Sequence, residues 1–95
     1  MEGYFVYILA GRKKETLYVG MAKNLKWRVS EHKNGLREGF TEKNKVKKLV
    51  YYEQCDGKKS AVLREKQLKK WHNSWKIRLI EKFNPEWKDL YSDLN

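Results

Sequence analysis

Seven consecutive residues near the N-terminus, Tyr4–Ala10 (Tyr-Phe-Val-Tyr-Ile-Leu-Ala), are apolar or aromatic at every position. Successive side chains of a strand point to opposite faces, so a run that is apolar on both alternations predicts a strand buried on both sides. The sheet holding it therefore needs cover on each face. A chain of 95 residues has room for one domain only. A domain of that size buries only roughly 60–65% of the surface its unfolded form exposes. Large side chains must make up the difference, and four Trp, six Tyr and three Phe do so. They keep the chain in the folded class despite 36% charged residues.

The rest of the chain supplies partners for that strand. Gly11–Glu15 is a polar turn, and Leu17–Met21 is a second strand-like run, so the two form an antiparallel hairpin. Asn24 suits the N-cap of a helix from Leu25 to about Asn34, with Gly35 as its stop. Leu36–Lys48 is polar and without period, which predicts a loop. Lys48–Gln54 is a third strand, followed by a turn at Asp56-Gly57. Ser60 caps a predicted helix from Ala61 to about Trp71. Asn73 or Ser74 caps another that runs to about Phe83 and ends at Asn84-Pro85. Trp87 and Leu90 are expected to pack back on the domain. The order β-β-α-β-α-α predicts an α/β domain of the α+β sandwich type, a three-stranded antiparallel sheet flanked by helices.

Charge is the first indication of function. Twenty-two Lys and Arg against twelve Asp and Glu give +10, an excess that attracts polyanions through long-range field and counterion release. A generically basic surface is the competing explanation. No apolar run approaches the roughly 20 residues that span a bilayer, and the basic residues do not gather on one amphipathic helix, so no membrane partner is expected. Tyr4–Ala10 has no basic segment before it and Gly11-Arg12-Lys13-Lys14 after it, unlike a signal peptide. The single Cys55 cannot form an internal disulfide, in keeping with a cytoplasmic location.

Several motifs are set aside. Gly57-Lys58-Lys59-Ser60 lacks the leading glycine and the hydroxyl residue of a phosphate loop. His32, His72 and Cys55 are too scattered for structural zinc, and Cys55 reads as a small packing residue. Three features remain, each with a plain alternative. Arg28 and His32, one turn apart, flank the inward stripe of Leu25 and Val29, with Trp27 pointing elsewhere. There the arginine either borders a cleft or covers apolar neighbours with its stem. Glu65 lies on the apolar face of its helix, four after Ala61 and three before Leu68. A carboxylate there either pairs with an arginine or binds a hard cation. Tyr7 and Tyr18, one on each hairpin strand, are either core aromatics or a pair of hydroxyls able to orient or deprotonate water.

In order along the chain, these residues resemble the GIY-YIG nuclease superfamily, specifically its small stand-alone bacterial members. Phe5-Val6-Tyr7 corresponds to the first signature and Tyr18-Val19-Gly20 to the second. The segment from Tyr18 to Val29 is similar to the N-terminal nuclease domain of bacterial excinuclease C. The family's arginine falls on Arg28, its following histidine or tyrosine on His32, its acidic metal ligand on Glu65 and its late asparagine on Asn84. Phe5 stands in place of a glycine, and Met21 where the excinuclease C relatives carry lysine; Lys23 is the nearest cation.

The resemblance implies a divalent-metal-dependent DNA endonuclease or nickase acting in repair or recombination, with one Mg2+ or Mn2+ ion on Glu65. Arg28 would neutralise phosphate oxygens, Tyr7 or Tyr18 would take a proton from water, and His32 would assist. Gly20, Lys23 and Asn84 would contact substrate. The expected partner is DNA, including branched or flapped forms, bound by a monomer. The alternative is a nucleic-acid-binding module with the nuclease fold and little or no cleavage.

Overall fold

The computed structural model describes residues 3–12, 16–35 and 46–94. The hairpin-turn residues 13–15 and positions 36–45 of the expected loop lie outside them. Strand β1 (Tyr4–Ala10) is the centre of a three-stranded antiparallel sheet, between β2 (Leu17–Ala22) and β3 (Lys48–Cys55), in the order β2-β1-β3. Among the described residues three helices follow the predicted order: α1 (Leu25–Lys33), α2 (Lys58–Lys70) and α3 (Asn73–Phe83). A short 3-10 turn at Leu90–Asp93 ends the fold.

The double-sided strand explains the layers. Phe5, Tyr7 and Leu9 face one side, where they meet Leu25 and Val29 of α1 together with Val46, Leu49 and Leu94. Val6, Ile8 and Ala10 face the other, where Ala61 and Leu68 of α2, Ile80 of α3 and Trp87 close over them. All of Phe5–Ala10 is buried. The expected return of Trp87 and Leu90 therefore occurs, Trp87 to the α2–α3 side and Leu90 to the α1 side.

Local signals fixed some boundaries and missed others. Asn24 caps α1 by accepting from the Trp27 amide at 2.9 Å, and Gly35 follows the helix at φ 68°, a left-handed conformation that glycine adopts without strain. By contrast, α2 starts at Lys58, two residues before the predicted Ser60 cap. Its N-cap is Gly57, whose carbonyl accepts from the Ala61 amide at 3.0 Å. Lys58 and Lys59 are good helix formers and simply extend the helix toward the turn. Likewise α3 is preceded by His72, with no side-chain cap, and not by Asn73 or Ser74, which both lie within the helix.

One irregularity matters later. Ile8 pairs with Tyr51 and Leu9 with Leu49, so Val50 has no partner on β1 and the ladder bulges there. Its carbonyl accepts from Asn84 Nδ2 at 3.1 Å. That bond ties the end of α3 to β3.

Candidate active site

The two hairpin tyrosines do meet, together with His32. Tyr7 is opposite Gly20 on β2, and its ring lies over that glycine. A methyl group at Gly20 would stand 2.5 Å from both Cζ and the hydroxyl oxygen of Tyr7. The missing side chain is thus what lets the phenol cross the strand. From there the Tyr7 hydroxyl reaches Nε2 of His32 at 3.0 Å, a bond between two buried groups. Tyr18, next along the same face, completes the group. Its ring centre is 6.3 Å from that of Tyr7 and 5.3 Å from that of His32. Tyr7 is 1% exposed and His32 2%, whereas Tyr18 is partly open to solvent.

Arg28, one turn before His32 on α1, turns to the edge strand. Its Nη1 donates to the Met21 carbonyl at 3.4 Å, and Nε stands 3.3 Å from Glu31 Oε1. That ion pair lacks hydrogen-bond geometry, and Nε is buried without an acceptor in line. The guanidinium is therefore held in place with donor capacity unspent, a state suited to an oxyanion. Glu31 was not singled out from the sequence, although its i, i+3 spacing from Arg28 was the available signal.

Glu65 sits in the other layer, on α2, the helix that packs against β2 and β1. Its side chain is 22% exposed, and Oε2 lies 3.4 Å from Lys69 Nζ one turn on. The arginine beside it is engaged elsewhere: Arg64 Nε donates to both oxygens of Glu53 at 3.1 Å. Glu53 also accepts from the Tyr51 hydroxyl at 2.6 Å. Burial, reinforced by that carboxylate, pushes the Tyr51 phenol well above its ordinary range. Among the described residues no group of three or more His, Cys, Asp or Glu gathers. A cation at Glu65 would accordingly find at most two such ligands among the described residues and would take water and phosphate for the rest of its shell, as magnesium commonly does.

The structure does not bring Lys23 or Asn84 to the phenols. Lys23 is exposed, its ammonium 5.9 Å from the centre of the Tyr4 ring. Asn84 is buried, and every hydrogen-bonding group of its side chain is used. Nδ2 donates to the Val50 and Lys88 carbonyls at 3.1 and 2.9 Å, and Oδ1 accepts from the Lys88 amide at 3.1 Å. At the hairpin end of β1 a cavity of about 340 Å3 is lined, among the described residues, by Arg12, Lys33, Lys47 and Lys48 around one acid, Asp89, which Lys33 contacts. Its cations come from three separate segments of the chain, so only the fold assembles them.

A central hairpin whose two tyrosines meet a histidine of the next helix, with an arginine of that helix held on the edge strand and a carboxylate on a later helix in the other layer, has the elements of a nuclease domain. Over residues 3–78 the chain matches the GIY-YIG catalytic domain, and it belongs to that family. It is similar to a UPF0213 protein of Clostridium perfringens, 40% identical over 76 residues that cover 80% of this chain and 81% of that one. A UPF0213 protein of Staphylococcus saprophyticus is 34% identical over 84% of this chain and 96% of its own length. One from Staphylococcus aureus is 35% identical over 85% and 98%. No solved structure matches significantly. A nuclease domain implies a nucleic-acid substrate, and nucleases of this family generally use divalent metal ions. No helix among the described residues is long and apolar enough to cross a membrane.

Proposed function

We propose that this protein is a divalent-metal-dependent DNA endonuclease or nickase whose site lies along the edge strand β2. The observation that carries the reading is the buried Tyr7–His32 hydrogen bond, laid over a side-chain-free Gly20 with Tyr18 against it. A core needs neither a polar pair at that depth nor a glycine cleared beneath it.

Hydrolysis joins a water oxygen to phosphorus, breaks the bond to the 3′ oxygen and moves a proton from water to a base. Tyr18 is the phenol that solvent reaches, so it is the acceptor we assign. Tyr7, fully buried, holds His32 in register behind it. A phenol is a weak base at neutral pH, with an ordinary pKa of about 10. Arg28, fixed on the Met21 carbonyl of the same strand, supplies positive charge and donors for the non-bridging oxygens. Glu65 would hold a hard divalent cation, Mg2+ or Mn2+, which would supply Lewis-acid charge to the phosphate being cleaved. The Arg12–Lys33–Lys47–Lys48 cavity gives the flanking backbone a second basic contact. We extend the reading to a cytoplasmic monomer acting in repair or recombination, on branched or flapped DNA.

Supercoiled plasmid tests this. Nicking should require Mg2+ or Mn2+ and fall by about a hundredfold or more in Arg28→Ala, Glu65→Ala and Tyr18→Phe. Unchanged nicking in all three variants refutes the assignment. The Glu65–Lys69 ion pair favours a second reading, a binding module of the same fold in which that carboxylate is neutralised. Salt-sensitive DNA binding with no cleavage under either metal would establish it.

A further inference from the structure

Where α2 meets α3, Trp71, Trp75, Arg78, Leu79 and Lys82 line an open cavity of about 280 Å3. Residues 75, 78, 79 and 82 follow i, i+3, i+4, i+7 spacing and form one stripe of α3. It is not the stripe that buries Lys76 and Ile80 against the sheet. Trp71 and Leu79 touch the core from outside, but Trp75 belongs to no core cluster and is 49% exposed. The two indoles stand at 79° with centres 5.9 Å apart, and His72 meets Trp75 at 80° and 5.7 Å. Trp71 is held from another side by the Arg64 guanidinium, 5.4 Å from its ring centre. A half-open indole thus shares the cavity with two cations, and among the described residues no acid lines it.

We infer that this cavity binds an unpaired nucleobase, stacked against Trp75, with Arg78 and Lys82 on its phosphate. The inference rests on nucleic acid being the partner proposed above, but not on cleavage. Charge decides among occupants. The rim is wholly cationic on a chain of +10, so a second copy of this face would bring like charges together. Stacking on an indole is tolerant of base identity and needs a base freed from its duplex. The pocket therefore selects single-stranded, flapped or frayed nucleic acid over intact duplex.

The test is binding of a fluorescein-labelled oligothymidylate and of a blunt duplex, followed by anisotropy with EDTA present, for wild type, Trp75→Ala and Arg78→Ala/Lys82→Ala. Trp75→Ala should weaken single-strand binding by about tenfold and leave duplex binding and plasmid nicking unchanged. The double variant should flatten the salt dependence of single-strand binding. Equal losses on both ligands, or none on the single strand, overturn the inference. So does a wild-type dimer that Trp75→Ala dissociates in sedimentation. So too does a tyrosine-containing oligoglutamate peptide that binds at Trp75 more tightly than the oligonucleotide. A thermal melt matched to wild type confirms that Trp75→Ala folds. If wild type never nicks DNA yet Trp75-dependent binding persists, the cleavage reading falls and this one stands.

Discussion

Replacing Gly20 by alanine puts a methyl group 2.5 Å from the Tyr7 hydroxyl and from Cζ, and 2.9 Å from Cε1. Two ring carbons and the hydroxyl oxygen inside ordinary contact distance leave the phenol no small adjustment. Tyr7 is 1% exposed and packed in the α1-side core, so its ring displaces neighbours when it moves. Overpacking of that kind costs about 1–3 kcal/mol. Displacing the hydroxyl also breaks its 3.0 Å bond to His32 and strands a buried imidazole nitrogen, a further cost of about 1–3 kcal/mol. Alanine restricts the unfolded chain more than glycine does, which returns about 0.4–1 kcal/mol. The net expectation is a loss of about 3 kcal/mol, which in a domain of this size lowers Tm by roughly 10–25 °C. Urea unfolding followed by tryptophan fluorescence reads the first quantity and calorimetry the second. The decisive arm is a double-mutant cycle with Tyr7→Leu, whose side chain ends short of Cζ. On that background Gly20→Ala should be nearly neutral, a coupling of about 3 kcal/mol. A penalty that is the same in both backgrounds, or no penalty in either, would refute the view that this glycine exists to seat the phenol.

Two further substitutions separate architecture from chemistry. Asn84→Ala leaves the bulged Val50 carbonyl without its donor and releases the Lys88 turn, so it should destabilise the fold by about 2–4 kcal/mol. Nicking measured below the lowered melting point should then keep its KM. A stable variant with a raised KM would instead make Asn84 a substrate contact. Lys76 is buried on α3, and burial holds its ammonium below the ordinary lysine value of 10.5. The charged form therefore opposes folding at neutral pH, and the penalty fades as pH rises through the folded value toward that of the unfolded chain. Lys76→Met should be more stable at neutral pH by about 1 kcal/mol. Chemical unfolding across pH 7–10 should show that advantage shrinking, and an advantage that grows with pH would reverse the assignment.

The run Tyr4–Ala10 contained most of the architecture by itself. A strand apolar on both alternations requires two covering layers, and with two further strands and three helical segments available the sandwich follows. Asn24 and Gly35 fixed α1 because capping is local chemistry. Ser60 misled for the complementary reason: a residue able to cap is not obliged to when good helix formers precede it.

For the site, the order Tyr7, Tyr18, Gly20, Arg28, His32, Glu65 along the sequence was enough to name the family. Spacing along α1 also placed His32 on the same border of the helix as Arg28. What the sequence left undecided was which group each side chain would meet, because that depends on cross-strand register and on which layer each helix joins. Register put Gly20 under Tyr7, and burial separated the sealed phenol from the accessible one. Tertiary packing gave Arg64 to Glu53, so the neighbouring Glu65 found Lys69 and not an arginine. It also drew Asn84 into a bulge that no local pattern announces, since the unpaired Val50 carbonyl arises only once β1 and β3 are aligned. The chain's own pattern determines the layers and the candidate residues. Long-range pairing decides which of them share a site, because a hydrogen bond or a ring contact is a property of two segments brought together and not of either alone.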